Sequence, residues 1–283
     1  MDGYFAPTAA TAVSGPTPPP RAPAPRARRV VLPVLSVALV LSVIAAVVAV
    51  RGARAAVVPA LRSVTTPASA EAGWGPTYVD TLGRPARWDP CAPIHYVVLS
   101  RWAPATGRAD LAAALARISA VSGLRFVDDG DTEEIPLRTR EAYQPARYGK
   151  RWAPILIGWV PPSRTDLGLG DGVQGVTMAI ALGGRAGGSI VTGQVALDAD
   201  RRLPGGFGPG ATEGEVLLHE LAHAVGLGHV QDPTQVMYPQ TTNSESQYGA
   251  GDRAGLAALG RNAGCLPAPE PRALEAPLID SRS

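Results

Sequence analysis

The sequence predicts an α+β domain preceded by one transmembrane helix. Three observations carry that reading. An uncharged apolar run covers residues 30–50. Short apolar segments of strand length at 154–160 and 189–197 follow a helix-patterned stretch at 110–122. A capped helix with buried and polar faces is then written just after Thr212 and stops at Gly226.

The apolar run VVLPVLSVALVLSVIAAVVAV is as long as the ~20 residues that cross a bilayer as a helix. A cleaved signal peptide has a shorter apolar core of about 7–15 residues, so a signal anchor is the better reading. A buried core helix fits poorly, because the run has no polar face and arginines flank it on both sides. Arg21, Arg26, Arg28 and Arg29 precede it, and Arg51, Arg54 and Arg62 follow, which places the N-terminus in the cytoplasm by a small margin. Residues 1–29 are rich in Pro and Ala and are expected to be disordered. Residues 51–73 read as a linker, 74–266 as one domain, and 267–283 as a flexible, proline-rich tail. The expected topology is single-pass, with the domain extracellular; secretion after cleavage is the alternative.

Two bulk features narrow the partners. The net charge is only +2, and no Lys/Arg cluster lies beside aromatic residues, so nothing points to nucleic acid. Cys91 and Cys265 are the two cysteines. Outside the cytoplasm a bridge between them is the natural reading, with two unrelated thiols as the alternative. Such a bridge contributes about 3–5 kcal/mol in the chain-entropy model. The sequence is silent on oligomeric state.

The chemistry lies in TEGEVLLHELAHAVGLGHVQDPTQVMYP, which begins at Thr212. Thr212 followed by Glu215 reads as a capping box. Val216, Leu217, Leu218, Leu221, Ala222 and Val225 supply apolar faces. Gly226 suits the left-handed turn that ends a helix. His219 and His223 stand four apart, so both imidazoles leave one helix face. The glycine bend lets His229 return as a third ligand. Three protein ligands leave one zinc position open for water, which marks a catalytic site. Zinc lowers the pKa of such a water toward ~7, and Glu220, beside the first ligand, is the candidate general base. A lone H-E-x-x-H arises by chance, but three of the chain's four histidines fall in H-E-x-x-H-x-x-G-x-x-H. Met237, in Val236-Met237-Tyr238-Pro239, suits a Met-turn and is read as a buried floor under the metal, not as a ligand. The fourth histidine, His95, reads as a structural residue in a strand among apolar neighbours.

On these residues the chain resembles the metzincin zinc metalloproteases, and most of all the matrixin branch. Weaker likeness extends over most of 74–266: Trp88 and 94–98 look like an opening strand, 110–122 like a first long helix with Leu111, Leu115 and Ile118 on one face, and 124–127 like the next strand. The resemblance implies a twisted, mostly parallel sheet with the active-site helix below it. A small C-terminal subdomain would follow Gly226, ending in a helix near 252–259. It implies one catalytic zinc and a protein or peptide substrate that pairs with the rim strand, here assigned to 191–195. It also implies that 240–249 walls the specificity pocket.

Departures from the pattern bear on other metals. Residues 160–200 hold no histidine for a second zinc. Asp166, Asp171, Asp198 and Asp200 lie in Gly-rich loops that could hold calcium, with solvated loop carboxylates as the competing reading. Cys91 could serve as a latency ligand, although Cys265 offers a simpler partner. The Ala-, Arg-, Gly- and Pro-rich composition suggests a GC-rich bacterial genome. Two rival functions remain: an envelope-surface binding module on the same scaffold with little or no catalysis, and a zinc hydrolase acting on non-peptide bonds.

Overall fold

The structure, a computed structural model, describes residues 62–63, 73–80, 82–184, 187–241 and 246–274. The predicted span at 30–50, the segment 1–29 and most of the linker 51–73 lie outside those residues. Among the described residues no helix is long and apolar enough to cross a membrane. The unit described here runs over Val57–Ser283.

Two short strands, β1 (Arg62–Ser63) and β2 (Tyr78–Val79), form an antiparallel ribbon. The main sheet contains β3 (Ala86–Arg87), β4 (Ile94–Leu99), β5 (Phe126–Asp131), β6 (Ile155–Val160), β7 (Gly175–Gly184) and β8 (Gly187–Asp198). Its order is β3-β8-β6-β4-β5, every neighbour parallel, and β7 adds antiparallel to β8. The helices are α1 (Gly107–Ser122), α2 (Pro145–Tyr148), α3 (Glu213–Ala224) and α4 (Ala250–Leu259). The mixed α/β architecture with a mostly parallel sheet follows the expectation, and the predicted strands and helices shift by only a few residues at their ends.

Burial explains the layering. All six residues of β6 are buried, as a central parallel strand covered on both faces requires. Ile155, Ile157 and Trp159 face the main core with Leu111, Leu115 and Ile118 of α1 and Leu217, Leu218 and Leu221 of α3. Leu156 and Val160 point the other way, into smaller clusters under the loops. Over that second face Arg140, itself buried, ties the loop down. It donates to Glu134, to the carbonyl of Gly193 at 3.0 Å and to that of Pro154 at 2.9 Å. Each buried charge there has partners, which offsets its desolvation.

One strand departs from expectation. Residues 191–195 belong to β8, an inner strand that pairs with β7 along its length, with β3 at Gly188 and Ser189 and with β6 from Gln194 to Asp198. Beside β8 the edge belongs to β7, which among the described residues pairs only with β8. Its sequence, GVTMAIALGG, is glycine at both ends and mostly small between them, so it gives no clear alternation to read.

Cys91 and Cys265 form a disulfide with Cα atoms 5.3 Å apart, closing a separation of 174 residues. The segment after it is fastened too. The Leu266 N–H donates to Asp89 at 3.0 Å, and Trp152 Nε1 donates to the carbonyl of Pro269 at 2.8 Å.

Candidate active site

The helix that carries the motif begins as its sequence directs. Thr212 is extended, and its Oγ1 accepts the Glu215 N–H at 3.2 Å, which satisfies one of the free first-turn donors. Trp159 Nε1 donates to Glu213 in the same turn, joining α3 to the centre of the sheet. At the other end Trp88 Nε1 donates to the Ala224 carbonyl at 2.9 Å, filling an acceptor that a helix C-terminus leaves open. Gly226 then takes φ +101°, and a Cβ there would stand 2.8 Å from the Ala86 carbonyl oxygen. Both facts require glycine, and the bend they permit returns the chain toward the helix.

That return brings His229 to the face of α3 that carries His219 and His223. The Nε2 atoms of His219 and His223 are 3.0 Å apart, and those of His223 and His229 3.1 Å. A tetrahedral ion bound at ~2.0–2.1 Å would hold its nitrogens about 3.3 Å apart. The far side of two rings is fixed: His219 Nδ1 donates to the Val236 carbonyl and His223 Nδ1 to the Leu227 carbonyl, each at 2.7 Å. With the proton on Nδ1, the Nε2 lone pairs are left to converge, which is the arrangement of a zinc-type donor set. Burial pushes the His219 and His229 imidazoles below their usual range, His229 to about 4, and His219 adds to the effect on His229. His223 falls further, through burial and then both neighbouring rings. All three are therefore held neutral, the form in which an imidazole binds a metal.

Glu220 points from the same helix into a cleft of about 410 Å³ that the three histidines also line. Burial raises its carboxyl to about 7, opposed by the hydroxyl of Thr177, which lies 2.6 Å from Oε2. Gly175, Val176 and Thr177 of the edge strand form one wall of the cleft, and Pro239, Gln240 and Thr241 another. The Gln174 amide reaches across to Thr241 Oγ1 at 3.4 Å.

Met237 is wholly buried in the main core. Its turn is fixed through Val230, whose N–H donates to the Met237 carbonyl at 2.9 Å, and through Asp252 of α4. Asp252 Oδ2 accepts the N–H groups of Val236 at 3.0 Å and Gly249 at 2.9 Å. Neither Thr177 nor Asp252 was singled out from sequence. Thr177 lies in the strand that showed no pattern. Asp252 follows Gly249 at the third position of a helix, where a carboxylate signals a cap, but its reach to Val236 is a tertiary contact.

The other candidate residues are not brought together. Asp166 accepts the Arg138 N–H at 2.7 Å and Asp198 that of Asp200 at 2.9 Å. Apart from the histidines, the described residues gather metal-binding side chains only at Asp89, Cys91 and Cys265, where both sulfurs are in the disulfide. Cys91 therefore has no thiolate to offer as a latency ligand. His95 stands in β4 between buried Ile94 and Tyr96, is itself partly exposed, and pairs with Asp129 at 2.8 Å.

Comparison with known proteins agrees with the motif. Residues 100–259 match the family described as Matrixin. Over 115 residues the chain is 35% identical to matrilysin of Homo sapiens, a match covering 41% of this chain and 39% of that protein. The chain thus spans about two fifths of the length of this relative.

Proposed function

The chain belongs to the matrixin family of zinc-dependent metalloendopeptidases, and from that premise we propose that it hydrolyses peptide bonds in protein or peptide substrates, with His219, His223 and His229 holding one catalytic zinc. The observation that carries this reading is the convergence of three Nε2 atoms beside a buried carboxylate in an open cleft. Zinc there would supply a Lewis acid that lowers the pKa of a water toward ~7 and stabilises the charge developing on the scissile carbonyl oxygen.

The chain's own residues do the rest. Val236 and Leu227 orient two of the rings through their carbonyls. Glu220 takes the proton as water attacks the carbonyl carbon, then delivers it to the leaving amine. Its carboxyl, raised by burial, is suited to both halves of that transfer. The free edge of β7 offers backbone N–H and C=O groups to an extended peptide, which would add as a further strand along the cleft. Met237 fills the floor beneath the rings.

We further propose that residues 30–50 anchor the chain in a membrane with its N-terminus cytoplasmic and the catalytic domain outside, or that the domain is released after cleavage. The uncharged apolar run and the disulfide support an oxidising location. Incubating the domain with an unfolded protein substrate, with and without chelator, tests the activity. Chelator-sensitive cleavage is expected. Tight zinc binding with no cleavage would favour a binding module on the same scaffold.

A further inference from the structure

We propose that Gly175 and Thr177, on the same face of the edge strand β7, set the position of the Glu220 carboxylate and are positioning residues for its proton transfer. The proposal rests on the reading of Glu220 as the general base. Residues two apart on a strand share a face, and here that face is turned to α3. Thr177 is buried, and its hydroxyl is within hydrogen-bond reach of two acceptors, Glu220 Oε2 at 2.6 Å and the Glu220 carbonyl oxygen at 2.9 Å. The hydroxyl therefore ties one carboxylate oxygen to the strand.

Gly175 acts by leaving room. A Cβ there would meet Glu220 Cγ at 2.6 Å, Oε1 at 2.7 Å and Cδ at 2.8 Å. Those are the three nearest atoms, and all belong to Glu220. The backbone does not demand glycine: Gly175 lies in a ladder opposite Leu197, and its φ is not positive. Space for the carboxylate is thus a reason for glycine at this position. A side chain at 175 would thus move the end of a flexible glutamate and leave the backbone alone. One residue holds Oε2, and the other clears the path of Oε1. A shift of about 1 Å in a reacting group costs on the order of 100-fold in rate.

The test uses the full chain loaded with zinc. Thr177→Val keeps the shape and removes the hydroxyl; kcat should fall roughly 10–100-fold with KM within about threefold and zinc content unchanged. Thr177→Ser should recover kcat to within about threefold of the parent. Gly175→Ala should lower kcat by a similar factor at an unaltered unfolding midpoint, and it carries the test if Thr177→Val fails to fold. In a crystal structure of the zinc-free Thr177→Val chain the carboxylate should be turned from its parent position. Parent-like kcat in both Thr177→Val and Gly175→Ala, with Glu220→Ala inactive, would overturn the proposal while leaving the base intact. Serine as impaired as valine would also overturn it. Full activity in Glu220→Ala would overturn the base reading itself.

Discussion

His219 Nδ1 donates to the carbonyl of Val236 at 2.7 Å, so a ring of the histidine cluster takes its orientation from the residue before Met237. The Val236 N–H in turn donates to Asp252 Oδ2 at 3.0 Å. The first residues of α4 therefore hold the turn that holds the ring. Removing such an outer partner typically costs 10–100-fold in metal affinity. Asp252→Ala should weaken zinc binding by about that factor. It should also lower stability by about 3 kcal/mol, because the Val236 and Gly249 N–H groups lose their acceptor. Competition with a chromogenic chelator and a denaturant titration measure the two effects.

Glu220→Ala separates metal binding from proton transfer. Zinc content should stay at one per chain, because the three rings are untouched. The rate should fall by roughly 10²–10⁴, the usual contribution of a general base. Zinc content and turnover measured on one preparation decide it, and a variant that keeps both would exclude Glu220 from the proton transfer.

The metal-free chain should lose stability in mild acid. The three histidines are depressed in the fold, His229 to about 4, from an ordinary 6.5. Between those values the unfolded chain binds protons that the folded chain refuses, so stability is full above pH 6.5 and declines as pH falls toward 4. Glu220 works in the opposite sense. Its carboxyl is raised by burial to about 7, so between 4.5 and 7 the folded chain holds a proton that the unfolded chain has released. That offsets part of the decline, and Glu220→Gln removes the offset. Denaturant midpoints of the chelated chain at pH 7.5 and 5 should therefore diverge further in Glu220→Gln than in the parent.

Much of this site is legible in sequence because it is local. One cap, one helix and one glycine bend place His219, Glu220, His223 and His229, and each step follows from spacing within a short stretch. The sheet is harder to read where its strands lack contrast. β6 announces itself as a continuous apolar run, whereas β7 is small-sided and glycine-bounded, so the alternating pattern of β8 draws the edge role in the sequence. The partners of the site are tertiary. Thr177 reaches Glu220 across 43 residues and Asp252 reaches Val236 across 16, and no periodicity encodes either contact. The loop carboxylates are hard to read for a related reason. A run of Asp near glycines fits a cation loop or an ordinary turn, and the single backbone N–H that each of Asp166 and Asp198 accepts is compatible with both.

The disulfide closes 174 residues, nearly the whole domain. Constraining so long a loop in the unfolded chain contributes about 3–5 kcal/mol in the chain-entropy model. Replacing both Cys91 and Cys265 with Ser should lower the unfolding free energy by that amount. Denaturant curves of the oxidised parent and the double variant provide the comparison, and coincident curves would show that the hydrogen bonds of Leu266 and Trp152 hold the C-terminal segment unaided.

X-ray absorption at the zinc edge, with anomalous scattering from a crystal of the zinc-loaded chain, addresses the metal directly. One zinc per chain is expected, bound by three imidazole nitrogens at ~2.0–2.1 Å and an oxygen donor from solvent. An empty histidine cluster in a chain supplied with excess zinc, or a fourth protein ligand filling the coordination shell, would contradict a catalytic centre.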